Sequence, residues 1–216
     1  MQLVSGIFHL PFTNLITALT MVPHPAFQIF IDMVEGYMPM PEYDRQLCYD
    51  HMEVIHVPKG TVLEAPGNIP QHLYFICGGY LRNFHVNAEG KEVTADLGGP
   101  GRFFTSYTHF ANRTFSNETI ECLTDATLLR VNQKSNEYLY AHGSIIKEFT
   151  IQLFSQLMEL DKQRVEELTT LTAEQRYLNF METHPGMLQN VPLQHIASFL
   201  GINPGSLSRI RANLVA

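Results

Sequence analysis

The hydrogen-bonding side chains near the C-terminal end of the chain are donors without a neighbouring acid. Ser206, Ser208, Arg209 and Arg211 are close in sequence, and the last 34 residues contain two arginines and no Asp or Glu. Such side chains can bind phosphate oxygens and the acceptor edge of guanine. In a helix, Arg209 shares a face with Ser206, whereas Arg211 is rotated by about 200° from Arg209. The pattern predicts that Arg209 contacts a base and that Arg211 contacts the DNA backbone or supports the helix.

The segment Val191–Ala216 that carries these donors has the spacing of a helix-turn-helix. A first helix is predicted over Leu193–Leu200 and a second over Pro204–Leu214, where a proline fits the first turn. Ala197 is the small residue that two crossing helices need, and Gly201 can adopt the positive φ of a tight turn. An ordinary helical hairpin that closes a domain is the alternative. The apolar contacts are expected from Ile196, Leu200, Ile202, Leu207 and Ile210.

The acidic charge of the chain is concentrated in its N-terminal part. The 216 residues are 45% hydrophobic and 16% charged, as in a soluble globular protein of one large or two small domains. Residues 1–143 hold 8 Lys/Arg and 14 Asp/Glu (net −6), and residues 144–216 hold 6 and 7 (net −1), which gives −7 in total. This balance argues against a protein that coats nucleic acid indiscriminately, but it leaves the C-terminal end locally basic.

Cysteine usage and hydropathy predict a cytoplasmic protein without a membrane partner. Cys48, Cys77 and Cys122 are far apart, which indicates neither a zinc finger nor a disulfide framework. No apolar run reaches the roughly 18 residues of a membrane helix. The first 20 residues are apolar, but no Lys or Arg precedes their apolar core, so no signal peptide is predicted. We treat residues 1–25 as an N-terminal extension; if Met21 is the start, residues 1–20 are an upstream artefact.

The middle of the chain alternates short β-rich runs with glycine and proline turns, which is typical of a β-sandwich or β-roll. Two helices are predicted before it, over Ala26–Val34 and Glu42–Asp50. A hairpin turn is predicted over residues 87–90. The predicted strands are Glu53–Val57, Thr61–Glu64, His72–Cys77, Tyr80–Val86, Glu92–Leu97, Glu118–Leu123 and Thr127–Val131.

A long helix is predicted over Ser144–Leu171, followed by a helix from Thr172 to about Glu182 that ends at His184-Pro185-Gly186. The long helix has an apolar stripe that is broken at Arg164. The stripe favours self-association, core packing against the β-rich part, or both along different halves. Its members are Ile146, Phe149, Leu153, Leu157 and Leu160.

Four segments carry a resemblance to a known family. They are GGYLR (Gly78–Arg82), NAEGKE (Asn87–Glu92), LTAEQRYLNF (Leu171–Phe180) and PLQHIASFLGINPGSLSRIR (Pro192–Arg211). From about residue 25 to the end, the chain resembles the Crp/Fnr family of bacterial transcription regulators. The last segment is similar to the branch that is common in Bacteroidetes-type bacteria.

The resemblance implies an α+β fold with a double-stranded, jelly-roll-like β-roll, a long connecting helix and a C-terminal helix-turn-helix domain. The implied domains are a cyclic-nucleotide-binding-like sensor over residues 26–143, a dimerisation helix over 144–171 and a DNA-binding domain over 172–216. In this family the second helix of the motif enters the major groove. The implied partners are double-stranded DNA, a second copy of the chain in a homodimer and a small-molecule effector.

Carried over to this sequence, the family pattern makes Arg209 the leading base reader. Gly205 departs from the pattern, since relatives usually place an acid there that accepts from a cytosine amine. The chain also ends just past the second helix, so the usual β-hairpin wing is expected to be absent. The predicted DNA-binding residues are Gln194, Asn203, Ser206, Ser208, Arg209 and Arg211.

The effector pocket departs from the cyclic-nucleotide pattern of the family, which uses a glutamate on the ribose and an arginine on the phosphate. The alignment puts Ser106 at the glutamate position and Ser116 at the arginine position. A buried phosphate needs a fixed cation or backbone donors, and Arg113 is expected to be a solvated loop residue. We therefore expect no cAMP binding and a pocket that takes another effector or is vestigial. Its predicted residues are Phe104, Ser106, Tyr107, Ser116, Asn117 and Thr119.

Other chemistries find little support. The ten histidines are scattered without the His-x-His pair of a cupin metal site. An iron–sulfur sensor needs about four clustered cysteines, and no nucleophile–base motif or phosphate loop is present. We expect no catalytic residue, cofactor or metal. The alternative function is a non-enzymatic small-molecule-binding or protein-interaction module that has lost DNA binding.

Overall fold

The computed structural model describes residues 24–215, so the predicted extension over residues 1–25 lies almost entirely outside them. Within this range the predicted α+β fold with an N-terminal β-roll is confirmed. The strands of the roll are β1 (Glu53–Val57), β2 (Val62–Glu64), β3 (His72–Gly78), β4 (Leu81–Val86), β5 (Glu92–Gly98), β6 (Arg102–Phe104), β7 (Glu118–Cys122) and β8 (Ala126–Asn132).

The eight strands form two four-stranded antiparallel sheets. The first sheet has the order β1-β8-β3-β6, and the second has the order β2-β7-β4-β5. Seven strands lie within one residue of their predicted bounds; the three-residue β6 was not predicted. The turn before β4 needs a glycine, because Gly79 has a φ of 92° and an added Cβ would lie 2.5 Å from the Asp125 carbonyl oxygen.

The helices flank the roll and follow it. Three of them, α3, α4 and α7, were not predicted. Pro185 was predicted only to help end a helix, but it also begins the next one, since a proline needs no N–H partner in a first helical turn. Their bounds are α1 (Pro25–Glu35), α2 (Glu42–His51), α3 (Tyr107–Asn112), α4 (Gln133–His142), α5 (Ile146–Thr170), α6 (Ala173–Thr183), α7 (Pro185–Asn190), α8 (Leu193–Phe199) and α9 (Pro204–Val215).

The start of the long helix α5 is fixed by a buried carboxylate. Asp44 in α2 is fully buried, and its Oδ1 accepts hydrogen bonds from the backbone amides of Ser144 at 2.7 Å and Ile145 at 3.4 Å. These amides lie at the N-terminus of α5. Backbone N–H groups at this end of a helix have no hydrogen-bond partner within the helix. Asp44 therefore acts as a capping group that is supplied by a distant helix.

The apolar stripe predicted along α5 is divided between two environments. Phe149 is buried in the core between the first sheet and its covering helices, and Ile146 and Leu153 pack against that core. Core packing therefore explains the N-terminal half of the stripe, whereas Leu160 is 50% exposed. A second, solvent-facing stripe runs along the same helix. It consists of Ile151, Phe154, Met158, Val165 and Leu168, and we call it the exposed stripe.

The C-terminal helices pack on the second sheet. Leu97 and Leu123 of the roll share one buried cluster with Ile196 and Ala197 of α8. The backbone amide of Thr94 in β5 also donates to the Ser198 hydroxyl at 2.9 Å. These contacts dock α8 against β5.

An arginine of α6 stabilises the turn between α8 and α9 through hydrogen bonds. Gly201 has a φ of 63°, as its predicted role requires. Arg176 in α6 donates to the carbonyl oxygens of Leu200 at 2.9 Å and Leu171 at 2.8 Å. Ala197 is completely buried. It occupies the position in α8 at which the sequence predicts a small residue.

Candidate functional site

Two serines that are ten positions apart in sequence meet between the two sheets of the roll. Ser106 follows β6 and Ser116 precedes β7; their Oγ atoms are 3.2 Å apart, and both residues are buried. The structure therefore brings together the pair that the sequence placed at the ribose and phosphate positions of a cyclic-nucleotide pocket.

A glutamate and an asparagine extend this pair. The Glu118 carboxylate accepts from the Ser106 hydroxyl and, at Oε2, from Asn83 Nδ2 at 2.9 Å. The Glu118 amide donates to Ser116 Oγ at 3.0 Å. Because strand side chains alternate between faces, Asn83 in β4 lies on the same inner face as Leu81, which is in the core between the sheets.

A second carboxylate, Glu64, reaches the same region from β2. Its Oε1 lies 3.2 Å from Thr105 Oγ1, and the Ser106 amide also donates to this carboxylate. Burial raises the Glu64 pKa to about 7, and the charge of Glu118 adds to this effect. We call Glu64, Asn83, Ser106, Ser116 and Glu118 the polar cluster.

Among residues 24–214, no Lys or Arg forms an ion pair with either glutamate of the polar cluster. Arg113 is more than half exposed and pairs with Glu137 instead. Arg82 is 2% exposed on the outer face of β4, where it pairs with Glu92 at 2.8 Å and Glu121 at 3.1 Å. The interior of the roll therefore presents carboxylates where a cyclic phosphate would need a cation.

The other predicted pocket residues do not converge on the polar cluster. Phe104 is buried in the core between the sheets, beside its strand neighbour Tyr74. Tyr107 lies outside this core and packs against Phe154 of α5, with ring centroids 5.7 Å apart, beside an apolar cavity of 230 Å³. Asn117 is exposed. Thr119 alternates with the inward-facing Glu118 and therefore lies on the opposite face of β7.

The sequence interpretation missed Glu64, Asn83 and Glu118. Each lies in a strand, and they meet only because β2, β7 and β4 are neighbours in the second sheet. The available signal was a pair of acids at strand ends in a β-rich region, which is ordinary for strands with a solvent-facing side. Without the strand order, the sequence does not indicate that these acids point into the roll.

The outer surface of α9 carries the predicted base-reading donors. Ser208, Arg209 and Arg211 are exposed, and Arg209 Nη2 lies 3.3 Å from Ser206 Oγ. Leu207 is fully buried and marks the inner side of the helix. At 100° per residue, Arg209 is about 160° from Leu207 around the helix axis, whereas Arg211 is about 40° from it. Arg209 therefore points away from the protein, and Arg211 lies nearer to the packed side.

The other two predicted DNA-binding residues lie outside α9. Asn203 Oδ1 accepts from the Gly205 amide at 2.9 Å at the start of α9, as a capping residue does. Gln194 in α8 is exposed and lines a surface cleft with Glu92 of β5 and His195. Of the predicted DNA-binding residues, Ser206, Ser208, Arg209 and Arg211 form an open surface on α9.

No group of three or more His, Cys, Asp or Glu side chains within residues 24–214 is arranged to hold a metal ion. In the same part of the chain, no helix is both long and apolar enough to cross a membrane.

Comparisons with known proteins agree with this architecture. Residues 54–142 match the family described as cyclic nucleotide-binding domain. No curated protein matches the chain significantly in sequence. Among solved structures, the chain is similar to the c-di-GMP-responsive global regulator CLP of Xanthomonas campestris (TM-score 0.63, 17% identity, 81% of this chain and 91% of that chain). It is also similar to a protein from Eubacterium rectale that is assigned to the Crp/Fnr family of transcriptional regulators (TM-score 0.62, 17% identity, 83% of this chain and 88% of that chain). A third similar structure is the catabolite activator protein of Thermus thermophilus (TM-score 0.53, 17% identity, 83% of this chain and 85% of that chain). The fold is that of Crp/Fnr regulators.

The polar cluster predicts that neither cAMP nor cGMP binds tightly. Ser116 offers no charge to the phosphate, Ser106 offers no carboxylate to the ribose, and Glu64 and Glu118 would repel an anion. Two lost charge-assisted contacts of roughly 1.5–3 kcal/mol each weaken binding by about a hundredfold or more. Calorimetric titration of the full chain should show no micromolar binding of either nucleotide; a micromolar or tighter dissociation constant would contradict the prediction.

Proposed function

We propose that the chain is a DNA-binding transcription regulator of the Crp/Fnr type whose β-roll senses a small-molecule effector other than cAMP. In this proposal residues 26–143 form the sensor domain, residues 144–171 the dimerisation helix and residues 172–216 the helix-turn-helix domain. The protein acts in the cytoplasm, without catalysis, and its C-terminal segment is of the Bacteroidetes type. The match of residues 54–142 supports the sensor domain, and the fold supports the Crp/Fnr type.

The surface of α9 is the single observation that carries DNA binding. The first turn of this helix contains no acid, and its exposed side presents serine hydroxyls and an arginine that faces away from the protein. Helices that enter the major groove use such residues to contact phosphates and guanine edges. The proposed contacts are therefore Ser206, Ser208 and Arg209 on DNA bases and neighbouring phosphates, with Arg211 on the backbone.

The exposed stripe supports a homodimer. Its members recur at intervals of three, four or seven residues along α5, which is the repeat of a packed helix pair. Met158 is 72% exposed and Ile151 is 64% exposed, so the stripe would bury substantial apolar surface on pairing. A two-fold dimer would also present two copies of α9 to paired DNA half-sites.

A module that has lost DNA binding is the second candidate. It is favoured by the net charge of −7 and by Glu92, an acid that lines the same cleft as Gln194, one of the predicted DNA contacts. Direct measurement of DNA binding separates the two candidates.

A charge in the exposed stripe should dissociate the dimer. In Met158→Glu, one carboxylate from each copy would be buried at the helix pair without a partner, which is strongly unfavourable. Light scattering should give the mass of two chains for the wild type and of one chain for the variant. Gln152→Glu adds the same charge about 120° away on the helix and should remain dimeric. A wild-type monomer at micromolar concentration and physiological salt would contradict the proposal.

Replacement of the two arginines of α9 should have different effects. Arg209→Ala should cost about 1–3 kcal/mol on a selected DNA site and relax preference at one base position. Arg211→Ala should cost less, and about equally on any DNA, because a phosphate contact carries no sequence information. Binding isotherms at two salt concentrations measure both effects. Unchanged specific affinity of Arg209→Ala would show that α9 is not the recognition helix and would favour the interaction module.

A further inference from the structure

The polar cluster holds two buried acceptor atoms that lack a donor among the described residues. They are Glu64 Oε2 and Asn83 Oδ1, each shielded from solvent within the roll. A buried polar atom without a hydrogen bond costs about 1–3 kcal/mol, so such atoms call for an explanation. Each of the two atoms requires a hydrogen-bond donor.

The orientation of Asn83 is fixed by its neighbour. Its Nδ2 donates to Glu118 Oε2 at 2.9 Å, and a flipped amide would place two acceptors against each other. The residue is only 7% exposed. The oxygen of the amide is therefore held in the interior as an unused acceptor beside Glu118.

A cleft connects this interior to the surface. Its volume is 480 Å³, and it opens between the β2–β3 connection and the segment before β7. Glu64 and Ser116 belong both to its lining and to the polar cluster, and Tyr74 and Phe115 add aromatic surface. Of the two residues with an unsatisfied acceptor, Glu64 therefore lines a space large enough for a small organic molecule. Asn83 is joined to the cleft-lining Ser116 through Glu118, which accepts from Asn83 Nδ2 and whose amide donates to Ser116 Oγ.

The charge of the site restricts the donor that can enter. Two carboxylates without a cation disfavour an anion, and a neutral hydroxyl would leave their charge unbalanced. The site also lacks the group of three ligands that would suggest a metal ion within the described residues. A primary ammonium group supplies one positive charge and three N–H donors and has no acceptor.

We propose that the polar cluster and its cleft bind a small primary-ammonium compound, with the ammonium group between Glu64 and Asn83 and the rest of the molecule in the cleft. The identification of this compound as the effector rests on the function proposed above; its binding does not. The cation would satisfy both unused acceptors and offset the paired carboxylates.

Binding should strengthen as the pH rises through about 7. Glu64 loses its proton in this range and gains the charge that attracts the cation. Its three titratable neighbours are Tyr74 and His72 of β3, in the opposite sheet, and Glu118 of β7, the strand that pairs with β2. Burial raises the pKa of Tyr74 and lowers that of the His72 ring, so both are neutral between pH 7 and 8, and the third neighbour is the Glu118 carboxylate.

Calorimetric titration of the full chain at pH 8 with n-butylammonium tests the proposal. We expect saturable binding that is at least about tenfold tighter than that of n-butanol, which lacks the charge, or of tetramethylammonium, which lacks N–H donors. At pH 6 the affinity should fall. Absence of saturable binding, or equal binding of the three probes, would overturn the proposal.

Two variants and a matched control locate the site. Glu64→Gln removes the charge at constant size, and Asn83→Leu removes the unused acceptor at similar size; each should weaken n-butylammonium binding by at least about fivefold. Glu89→Gln makes the same charge change in an exposed turn and should bind as the wild type does. Thermal melting verifies that each variant folds. Wild-type affinity in both folded site variants would overturn the proposal.

DNA binding is measured on the same preparations without the amine. A protein that binds DNA but not n-butylammonium refutes the ligand proposal alone. A protein that binds n-butylammonium but no DNA supports the ligand proposal and refutes the proposed function.

Discussion

Arg164, in the middle of the long helix, holds the C-terminal helices against the β-roll. Its guanidinium donates to the Ala95 carbonyl in β5 and to the Phe199 carbonyl in α8 at 3.1 Å, and it lies 4.1 Å from the centre of the Phe199 ring. Arg102 in β6 contacts the same part of β5, through Asp96 and the Leu97 carbonyl, each at 2.8 Å, and Asp96, Arg102 and Arg164 line one cleft. These contacts join α5 and α8 to β5 and β6, and β6 ends two residues before Ser106 of the polar cluster.

The β-roll shows how one fold can host different ligands. The polar cluster lies within residues 54–142, which match the cyclic nucleotide-binding domain family. The residues that would hold a nucleotide are nevertheless serines, and carboxylates face the interior. The fold fixes where a ligand can enter, whereas the side chains decide its charge. The burial of Glu64 beside Glu118 makes this interior a poor site for phosphate and a suitable site for a cation.

Local signals in the sequence were sufficient to predict much of the fold. Glycine and proline turns bounded seven strands, and the Ala197–Gly201 spacing located α8 and α9, because these features depend on nearby residues. The site was predicted only in part. Ser106 and Ser116 were found through alignment, but Glu64, Asn83 and Glu118 depend on strand order, and the orientation of Thr119 depends on the register of β7. The short strand β6 and helix α3 are stabilised by tertiary packing, which local patterns do not report.

Selection of bound sequences from a random double-stranded DNA library tests the central claim most directly. A regulator that is dimerised through α5 and reads bases with α9 should enrich a two-fold symmetric site whose half-site centres are about one helical turn, 10–10.5 base pairs, or a multiple of it, apart. Failure to enrich any sequence from such a library, at a salt concentration where the protein is folded and dimeric, would contradict the account.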